Sequence, residues 1–284
     1  NGSGKLLTLN SGIDTTNAGG TAGGASVTLT ADDMAIAAAV NAGNGANTVT
    51  LKPFSADRTI NITPGSPGGL DLSRTELQQI AVSGGTLVLG PTTTTGAGGD
   101  INVNDTVQTG DVNAATFRLL AGRDINLTGG NDIGASGTRF AHHLELKANN
   151  SVNVTNGSIY LADGKNLTIV GDNDASGAGS VNIGGVTISV GSSGSNTGAM
   201  SIQGRDVFMQ LSGGGSGTVS VTGSGAQTFT AKNALTFDNT TGGTFADSLT
   251  ANASDSLAVA NFNDGQANLD RKSTRLNSSH VSES

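Results

Sequence analysis

Residues 144–169 read LELKANNSVNVTNGSIYLADGKNLTI, and this stretch decides the fold. It contains three pairs of apolar residues that flank a single polar residue, at Leu144/Leu146, Val152/Val154 and Leu167/Ile169. Alternate side chains of a β-strand point to opposite faces, so each pair predicts a short strand with one buried face. The residues between the pairs are rich in Asn, Gly, Asp and Ser, which favour turns.

The same pattern recurs from residue 27 to residue 259. The further pairs are Val27/Leu29, Val49/Leu51, Ile60/Ile62, Ile101/Val103, Ile125/Leu127, Val181/Ile183, Val186/Ile188, Val207/Met209, Val219/Val221, Leu235/Phe237 and Leu257/Val259. Comparable positions at 101, 125, 144, 167 and 186, and at 181, 200 and 219, are separated by 19 to 24 residues. A step of this length predicts a solenoid, in which no coil buries its apolar face alone and neighbouring coils stack.

The composition excludes several other classes of protein. Of the 284 residues, 44 are Gly and 13% are charged, whereas charged residues average roughly 25% in globular domains. The 4 Pro show no collagen period, and the absence of Cys excludes a disulfide framework and a thiolate metal site. The formal net charge of −8 offers no basic surface for nucleic acid or for an anionic membrane.

These observations predict an all-β chain folded as a parallel β-helix of about 10 to 12 coils, spaced about 4.8 Å apart. A pair of β-sandwiches or barrels is the alternative, since these also consist of short strands. Their tight hairpin dipeptides, Asn-Gly and Asp-Gly, are few in this chain. Loose corners such as residues 171–179 instead suit strands that pair with the next coil.

A short helical turn or loop insertion is predicted near residues 71–80. Ser73 and Glu76 have the spacing of a capping box, and Leu77 and Ile80 would face the same way on a helix. We expect this segment to project from the β-structure, either as a partner-binding protrusion or as an insertion that covers one sheet.

The chain divides into three parts. Residues 1–26 form a Gly-, Ser- and Thr-rich lead-in or first coil, and residues 27–269 contain the predicted β-helix. In residues 270–284, basic residues reappear within the string DRKSTRLNSSH, which resembles the in-frame translation of a sequencing-adapter oligonucleotide. We therefore expect residues 270–284 to be an artefactual tail and the remainder to be an internal fragment of a longer protein.

Several blocks of the sequence are shared with one class of exoprotein. They are residues 29–34 (LTADDM), 39–43 (AVNAG), 49–53 (VTLKP), 72–80 (LSRTELQQI), 85–90 (GTLVLG), 121–127 (AGRDINL) and 225–229 (GAQTF). With these blocks, residues 25–260 resemble the passenger region of filamentous haemagglutinin-type exoproteins. Such proteins are exported by two-partner secretion or as autotransporters.

The resemblance implies a right-handed parallel β-helix that serves as a structural adhesion module. The expected location is secreted or at the cell surface, associated with the outer membrane, with roles in biofilm and virulence. The expected partners are glycans or proteins of host cells or surfaces, other bacterial cells and, for the parent protein, an outer-membrane transporter. We expect no binding of nucleic acid, no membrane insertion, no enzymatic activity, no cofactor and no metal, and we assign no catalytic or binding residues.

Two other functions remain as alternatives. A polysaccharide-active β-helix enzyme needs two carboxylates within about 5 to 10 Å of each other. Asp100, Asp124 and Asp132 recur near comparable positions of successive coils, and Arg123 and Arg139 lie nearby in sequence. Each Asp also fits a solvated turn, in which the side chain bonds its own backbone. A phage fibre segment would share the solenoid but would trimerise through an exposed apolar face.

One motif has the residues of a calcium loop. Asp172, Asp174, Ser176 and Gly177 reproduce the opening of such a loop, where alternating oxygens bind the ion and Gly permits a sharp turn. The closing acid is missing, because Ile183 stands at the twelfth position. An Asx-rich turn explains the same residues without a metal.

A pair of adjacent histidines and a set of Asn-x-Ser/Thr triplets are the remaining residues with a functional interpretation. His142 and His143 are adjacent on a predicted strand, so they face opposite ways, and we expect one of them to be exposed. Glycosylation acceptor triplets, Asn-x-Ser/Thr, are frequent in a chain of this composition. They begin at Asn61, Asn104, Asn126, Asn149, Asn153, Asn156, Asn166, Asn239 and Asn252.

Overall fold

The computed structural model describes residues 3–16, 23–62, 68–91, 98–210, 218–221, 226–238, 249–253 and 256–260. Strands make up 49% of the structure and helices 4%. The predicted all-β class is therefore confirmed. The predicted artefactual tail, residues 270–284, lies outside the described residues.

The chain forms short strands in close succession. In chain order they are β1 Leu6–Leu9, β2 Ile13–Asp14, β3 Val27–Thr30, β4 Asp33–Ile36, β5 Val40–Asn41, β6 Thr48–Lys52, β7 Ile60–Ile62, β8 Leu70–Leu72, β9 Ile80–Leu89, β10 Ile101–Val103, β11 Asn113–Ala121, β12 Ile125–Leu127 and β13 His143–Ala148. They continue with β14 Val152–Val154, β15 Ile159–Leu161, β16 Leu167–Val170, β17 Ser180–Gly184, β18 Thr187–Val190, β19 Met200–Gly204, β20 Asp206–Gln210, β21 Thr218–Val221, β22 Gln227–Ala231, β23 Ala234–Asp238, β24 Leu249–Ala253 and β25 Ser256–Ala260. The structure also contains helix α1, Arg74–Gln78, and a 3-10 turn at Thr109–Asp111.

Most of these strands belong to three parallel sheets, of which two are long and one is short. Sheet I has 11 strands, in the order β2-β5-β9-β11-β13-β16-β19-β22-β24, with β3 and β6 joining it at β9. Sheet II has 9 strands, in the order β25-β23-β20-β17-β14-β12-β10-β7-β8, and sheet III has the 3 strands β15-β18-β21. The remaining pair, β1-β4, is also parallel. Long parallel sheets of this kind are compatible with the predicted β-helix.

The register corrects the predicted repeat length. Paired strands are 23 residues apart from Leu144 to Leu167, 27 apart from Ile125 to Val152, and 33 apart from Leu167 to Met200. The predicted 19-residue steps were wrong because they join strands of different sheets, as from Ile125 in sheet II to Leu144 in sheet I. The spacing between paired strands is therefore less regular than predicted, and the path through sheet I contains 9 strands in the described residues.

The core consists of apolar columns that continue from strand to strand. In sheet I, one column contains Leu119, Leu146, Ile169, Ile202 and Phe229, each paired in register with the next and each 0% exposed. Fully burying such a side chain is worth roughly 1.5 to 3 kcal/mol. The alternating pattern in the sequence therefore supplies the main stabilisation, and residues 98–210, where it is most uniform, are called the repetitive region below.

The strand order reverses once, within residues 27–62 and 68–90, which we call the folded-back region. Strand β8 follows β7 in the sequence, yet it pairs on the side of β7 opposite to β10. The chain then passes through α1 into the long strand β9, which pairs with both β5 and β6. The strands therefore do not follow one another evenly across the sheets in this region.

Helix α1 lies within the folded-back region and confirms the predicted capping box. The Ser73 side chain accepts a hydrogen bond from the Glu76 amide, and the Glu76 carboxylate accepts one from the Ser73 amide. The expectation that the helix projects was wrong, because Leu77 is 0% exposed and packs in the core. A second oxygen of Glu76, Oε1, accepts a hydrogen bond of 3.1 Å from the amide of Ile36, which fixes the helix to β4.

Buried carboxylates hold the folded-back region together. Asp32 is 1% exposed and accepts hydrogen bonds from the Gly4 amide at 2.5 Å, the Ser55 amide at 2.6 Å and the Ser55 hydroxyl at 2.5 Å. Burial acts to raise the pKa of Asp32, but these hydrogen bonds and the charge of Arg58 lower it to about 2. The ionised form of Asp32 is therefore the form that stabilises the fold.

A second carboxylate connects α1 to the repetitive region. Asp111, 1% exposed, accepts hydrogen bonds from Arg74 Nε at 2.7 Å and Gln78 Nε2 at 2.8 Å. The hydrogen bond to Asp111 raises the pKa of Arg74, so the arginine stays charged.

Among the described residues, no helix has the length and apolar character needed to cross a membrane.

Candidate binding surface

A continuous column of asparagine side chains runs along the outer face of sheet II. The amide Nδ2 of Asn182 donates to Oδ1 of Asn153 at 2.8 Å, and Asn153 donates to Asn126 at 2.8 Å. Asn126 donates to Asn102 at 3.0 Å, and Asn102 donates to Asn61 at 3.1 Å. Each asparagine is the middle residue of an apolar-Asn-apolar strand, so its neighbours in sequence point into the core while its amide faces outward.

The direction of this amide column is fixed by one carboxylate. Asp71 lies beside Asn61 in the register, and its Oδ1 accepts a hydrogen bond of 2.7 Å from Asn61 Nδ2. A carboxylate accepts but does not donate, so Nδ2 of Asn61 must point toward Asp71 and its Oδ1 toward Asn102. The same requirement fixes the orientation of each following amide, because its Nδ2 must donate to the oxygen of the asparagine before it. All five amides are therefore aligned, with the acceptor end at Asn182.

The amide column was missed by the sequence analysis, although its signal is present in the sequence. The tripeptides are Ile60-Asn61-Ile62, Ile101-Asn102-Val103, Ile125-Asn126-Leu127, Val152-Asn153-Val154 and Val181-Asn182-Ile183. The apolar pairs predicted the strands, but the shared middle residue was not used. Only the register, which places these strands side by side, turns five separate asparagines into one column.

A small cleft lies at the acceptor end of the amide column. The next strand places Phe208 beside Asn182 on the outer face, and the Phe208 side chain is half-buried. The cleft has a volume of about 170 Å³ and is lined by Thr155, Asn182, Ile183, Gly184 and Phe208. It combines an aromatic side chain with polar groups and has no charged residue in its lining.

A second cleft lies at the edge of the folded-back region. Its volume is about 210 Å³, and its lining includes Lys52, Phe54, Arg58 and Leu120. Phe54 is 51% exposed, which is unusual for a large apolar side chain in this structure. Arg58 is already engaged, since its guanidinium donates to the backbone oxygens of Asp32 and Gly69.

The outer face of sheet I changes character along its length. Arg118 Nε and Lys147 Nζ contact the same Glu145 oxygen, at 2.7 Å and 2.8 Å. Burial acts to raise the pKa of Glu145, but the hydrogen bonds from Arg118 and Lys147 lower it. The next outward positions in register are Thr168, Ser201 and Thr228, which continue the column with hydroxyl groups.

The acidic residues considered for an enzyme are only partly brought together. Asp100 and Asp124 precede paired strands, and the Asp124 amide donates to Asp100 Oδ1 at 3.2 Å. Asp100 is bound by Arg123 at 3.1 Å, and Asp124 Oδ1 accepts from the Ser151 amide at 2.8 Å. Both carboxylates thus act as turn caps.

Asp132 lies elsewhere in the coil and does not join that pair. Its Oδ1 accepts a hydrogen bond of 2.7 Å from the Ser158 amide, and the adjacent Ile133 bridges Val107 and Ile159. Arg139 is separate as well: it donates to the backbone oxygen of Leu161 at 3.1 Å and lies over the Tyr160 ring. Of the three acids considered for an enzyme, the structure therefore brings together only Asp100 and Asp124.

The residues that resemble the opening of a calcium loop form a closed polar turn. Oδ1 of Asp172 accepts hydrogen bonds from the Gly177 amide at 2.7 Å and from the Ser176 hydroxyl at 3.2 Å. Its Oδ2 lies 2.6 Å from Lys232 Nζ, so an ammonium group already neutralises the carboxylate. Burial acts to raise the pKa of Asp172, but the hydrogen bonds from Lys232 and Gly177 lower it. Asp174 bonds only within the turn, to the Ser176 amide.

The two histidines have different surroundings, because His143 begins β13 whereas His142 precedes the strand. The His142 ring lies between the backbone oxygens of Ala114 at 2.5 Å and Thr109 at 3.0 Å, and packs edge-on against Phe140. His143 faces outward, and burial together with the charge of Lys165 lowers its pKa. Neither histidine is fully exposed, so the expectation of one exposed histidine was wrong.

The glycosylation triplets fall into distinct environments. Asn61, Asn126 and Asn153 use their amides in the amide column, and Asn149 is buried. The exposed acceptors are Asn104, Asn156 and Asn166. Asn239 and the side chain of Asn252 lie outside the described residues.

The described part of the chain holds no group of three or more His, Asp or Glu side chains that could bind a metal ion. No family model, curated protein or solved structure matches this chain.

Proposed function

We propose that this chain is a right-handed parallel β-helix that serves as a structural adhesion module of a secreted or cell-surface bacterial exoprotein. Its partners would be glycans or proteins on cells and surfaces. The proposal retains the resemblance to filamentous haemagglutinin-type passengers and treats the molecule as a non-enzymatic scaffold.

The observation that carries the proposal is the repetition of similar outward groups on successive strands. Sheet II repeats an amide through five strands, and sheet I repeats hydroxyl groups at Thr168, Ser201 and Thr228. Neighbouring strands are about 4.8 Å apart. A surface with identical groups at this spacing favours many weak contacts, whose combined strength exceeds that of any single contact.

The proposal is tested by attachment of beads coated with the whole chain to cultured epithelial cells and to bacterial cells. We expect the beads to resist washing better than albumin-coated beads. The variant Thr168→Glu/Thr228→Glu places two charges on the outer face of sheet I and should reduce attachment at least tenfold.

The matched control is Ser136→Glu/Thr197→Glu, which adds the same charge at exposed turn positions. It should attach like the unmodified chain, because it leaves the outer faces unchanged. Attachment no better than that of albumin for the unmodified chain would contradict the proposal.

A further inference from the structure

The amide column ends at Asn182 in an acceptor that no group of the described residues uses. Each amide donates toward Asp71, and aligned hydrogen bonds polarise one another, so the acceptor strength of Oδ1 increases toward Asn182. Within the described residues, no donor forms a hydrogen bond with Asn182 Oδ1. The next position of the column is Phe208, whose ring cannot donate.

The surroundings of this acceptor form a binding site for a small ring. The cleft of about 170 Å³ is below the range of about 300 to 1,000 Å³ that encloses drug-sized ligands, so it admits one ring rather than a chain. Phe208 supplies an apolar face at its wall. Thr155, which is exposed, supplies a hydroxyl that both donates and accepts.

These features together specify the chemistry of the ligand. It must present an apolar face to Phe208 and hydroxyl donors at its edge to Asn182 Oδ1. It must also be neutral, because no charged side chain lines the cleft to compensate a buried charge. A pyranose ring has both properties, since one face carries C–H groups and the rim carries hydroxyls.

We propose that Asn182, Phe208 and Thr155 form a binding site for one neutral pyranose unit of a glycan. This inference rests on the adhesion function proposed above and specifies one of its contacts. The register explains why the site occurs once in the described residues: Phe208 replaces asparagine at one strand, which ends the column and places an aromatic ring beside its acceptor.

The test uses the whole chain and methyl β-D-glucopyranoside, observed by saturation-transfer difference NMR. We expect transfer to the C–H groups of one ring face, with a dissociation constant of about 1 mM, typical of a contact with so few atoms. Phe208→Ala should weaken binding at least tenfold, and Asn182→Ala at least threefold. Phe208→Tyr should retain binding because it keeps the aromatic face.

Two controls separate the site from general effects. Phe54→Ala removes the aromatic side chain of the second cleft and should leave the sugar signal unchanged. Mannitol, which has the hydroxyls but no rigid apolar face, should show no transfer. Circular dichroism of each variant confirms that it folds.

The outcomes distinguish this inference from the adhesion proposal. No transfer to the glucoside, or equal transfer in Phe208→Ala, would overturn the pyranose site. If coated beads still attach to cells in that case, the adhesion function stands and only its sugar contact is wrong.

Discussion

The folded-back region and the repetitive region both consist of parallel strands, but different contacts stabilise them. In the repetitive region, Leu146 and Asn126 each have an equivalent above and below them in register. In the folded-back region, Asp32 and Glu76 have no equivalent, and each connects segments far apart in sequence. Repetition spreads stability over many similar contacts, whereas a break in repetition concentrates it on a few charged groups.

The largest effect is expected from a cavity in the repetitive core. Leu146→Ala should lower the free energy of unfolding by about 2 to 5 kcal/mol, because Leu119 and Ile169 are held by their own strands and cannot fill the space. Urea unfolding followed by circular dichroism measures this loss. Thr168→Ala, on the outer face one strand away, is the control and should change stability by less than about 0.5 kcal/mol.

The folded-back region should respond most strongly at Asp32. Asp32→Asn should cost about 1 to 3 kcal/mol, because the new amide directs N–H groups at the donors of Gly4 and Ser55. Asp57→Asn removes the same charge at an exposed position and should be nearly neutral. Equal unfolding midpoints for the two variants would contradict the role of Asp32.

The same carboxylate predicts the acid sensitivity of the folded-back region. The pKa of Asp32 is lowered to about 2 in the folded chain from 3.8, so its contribution of about 2 kcal/mol is present above pH 4 and is lost as the pH falls through 2. Unfolding at pH 6 and pH 2.5 should show this loss in the unmodified chain. The Asp32→Asn variant should lose correspondingly less stability over the same interval.

A smaller effect is expected from the amide column. Asn126→Ala removes one donor and one acceptor, but both neighbouring amides are half-exposed and water can replace the lost partners. We expect a loss of about 1 kcal/mol. Amide hydrogen exchange should increase mainly in β10, β12 and β14, whereas an increase throughout the chain would show that the column is more important than its exposure indicates.

The effect at the helix cap is expected to be no larger than that in the amide column. Ser73→Ala removes the hydrogen bond to the Glu76 amide and should cost about 1 kcal/mol. Ser73→Thr keeps a hydroxyl that accepts from the Glu76 amide and donates to the Glu76 carboxylate, and it should recover most of the loss. A change of less than about 0.3 kcal/mol by urea unfolding for Ser73→Ala would mean that the core contact of Leu77 and the hydrogen bonds of α1 to Ile36 and Asp111 fix the helix without the cap.

The difference between the two regions also explains how much of the fold the sequence could predict. Apolar alternation located most strands, and the Ser73/Glu76 spacing located the helix, because both depend on neighbours in the chain. The period could not predict which strands pair, since corners of different length join strands of different sheets. The predicted set of apolar pairs also missed β15, although Ile159 and Leu161 show the same alternation.

The surface sites depended on register in the same way. The polar residue of each strand is visible in the sequence, but its neighbour across the sheet is not, so the amide column and the place of Phe208 were missed. The buried role of Asp32 was hidden because Asp33 stands beside it and only one of the two carboxylates meets the Ser55 amide. The reversal at β8 has no local signal, as Leu70 and Leu72 alternate like any other strand.

The in-register stacking has a mechanical consequence. Ile125 and Val152 are 27 residues apart in the chain but occupy neighbouring strands, only about 4.8 Å apart along the stack. A pull along the stack would separate one strand layer at a time, and each released loop of that length would extend by about 90 Å. Such a molecule would lengthen under load in many separate steps. A tether made from it would therefore reduce the peak force at its attachment points.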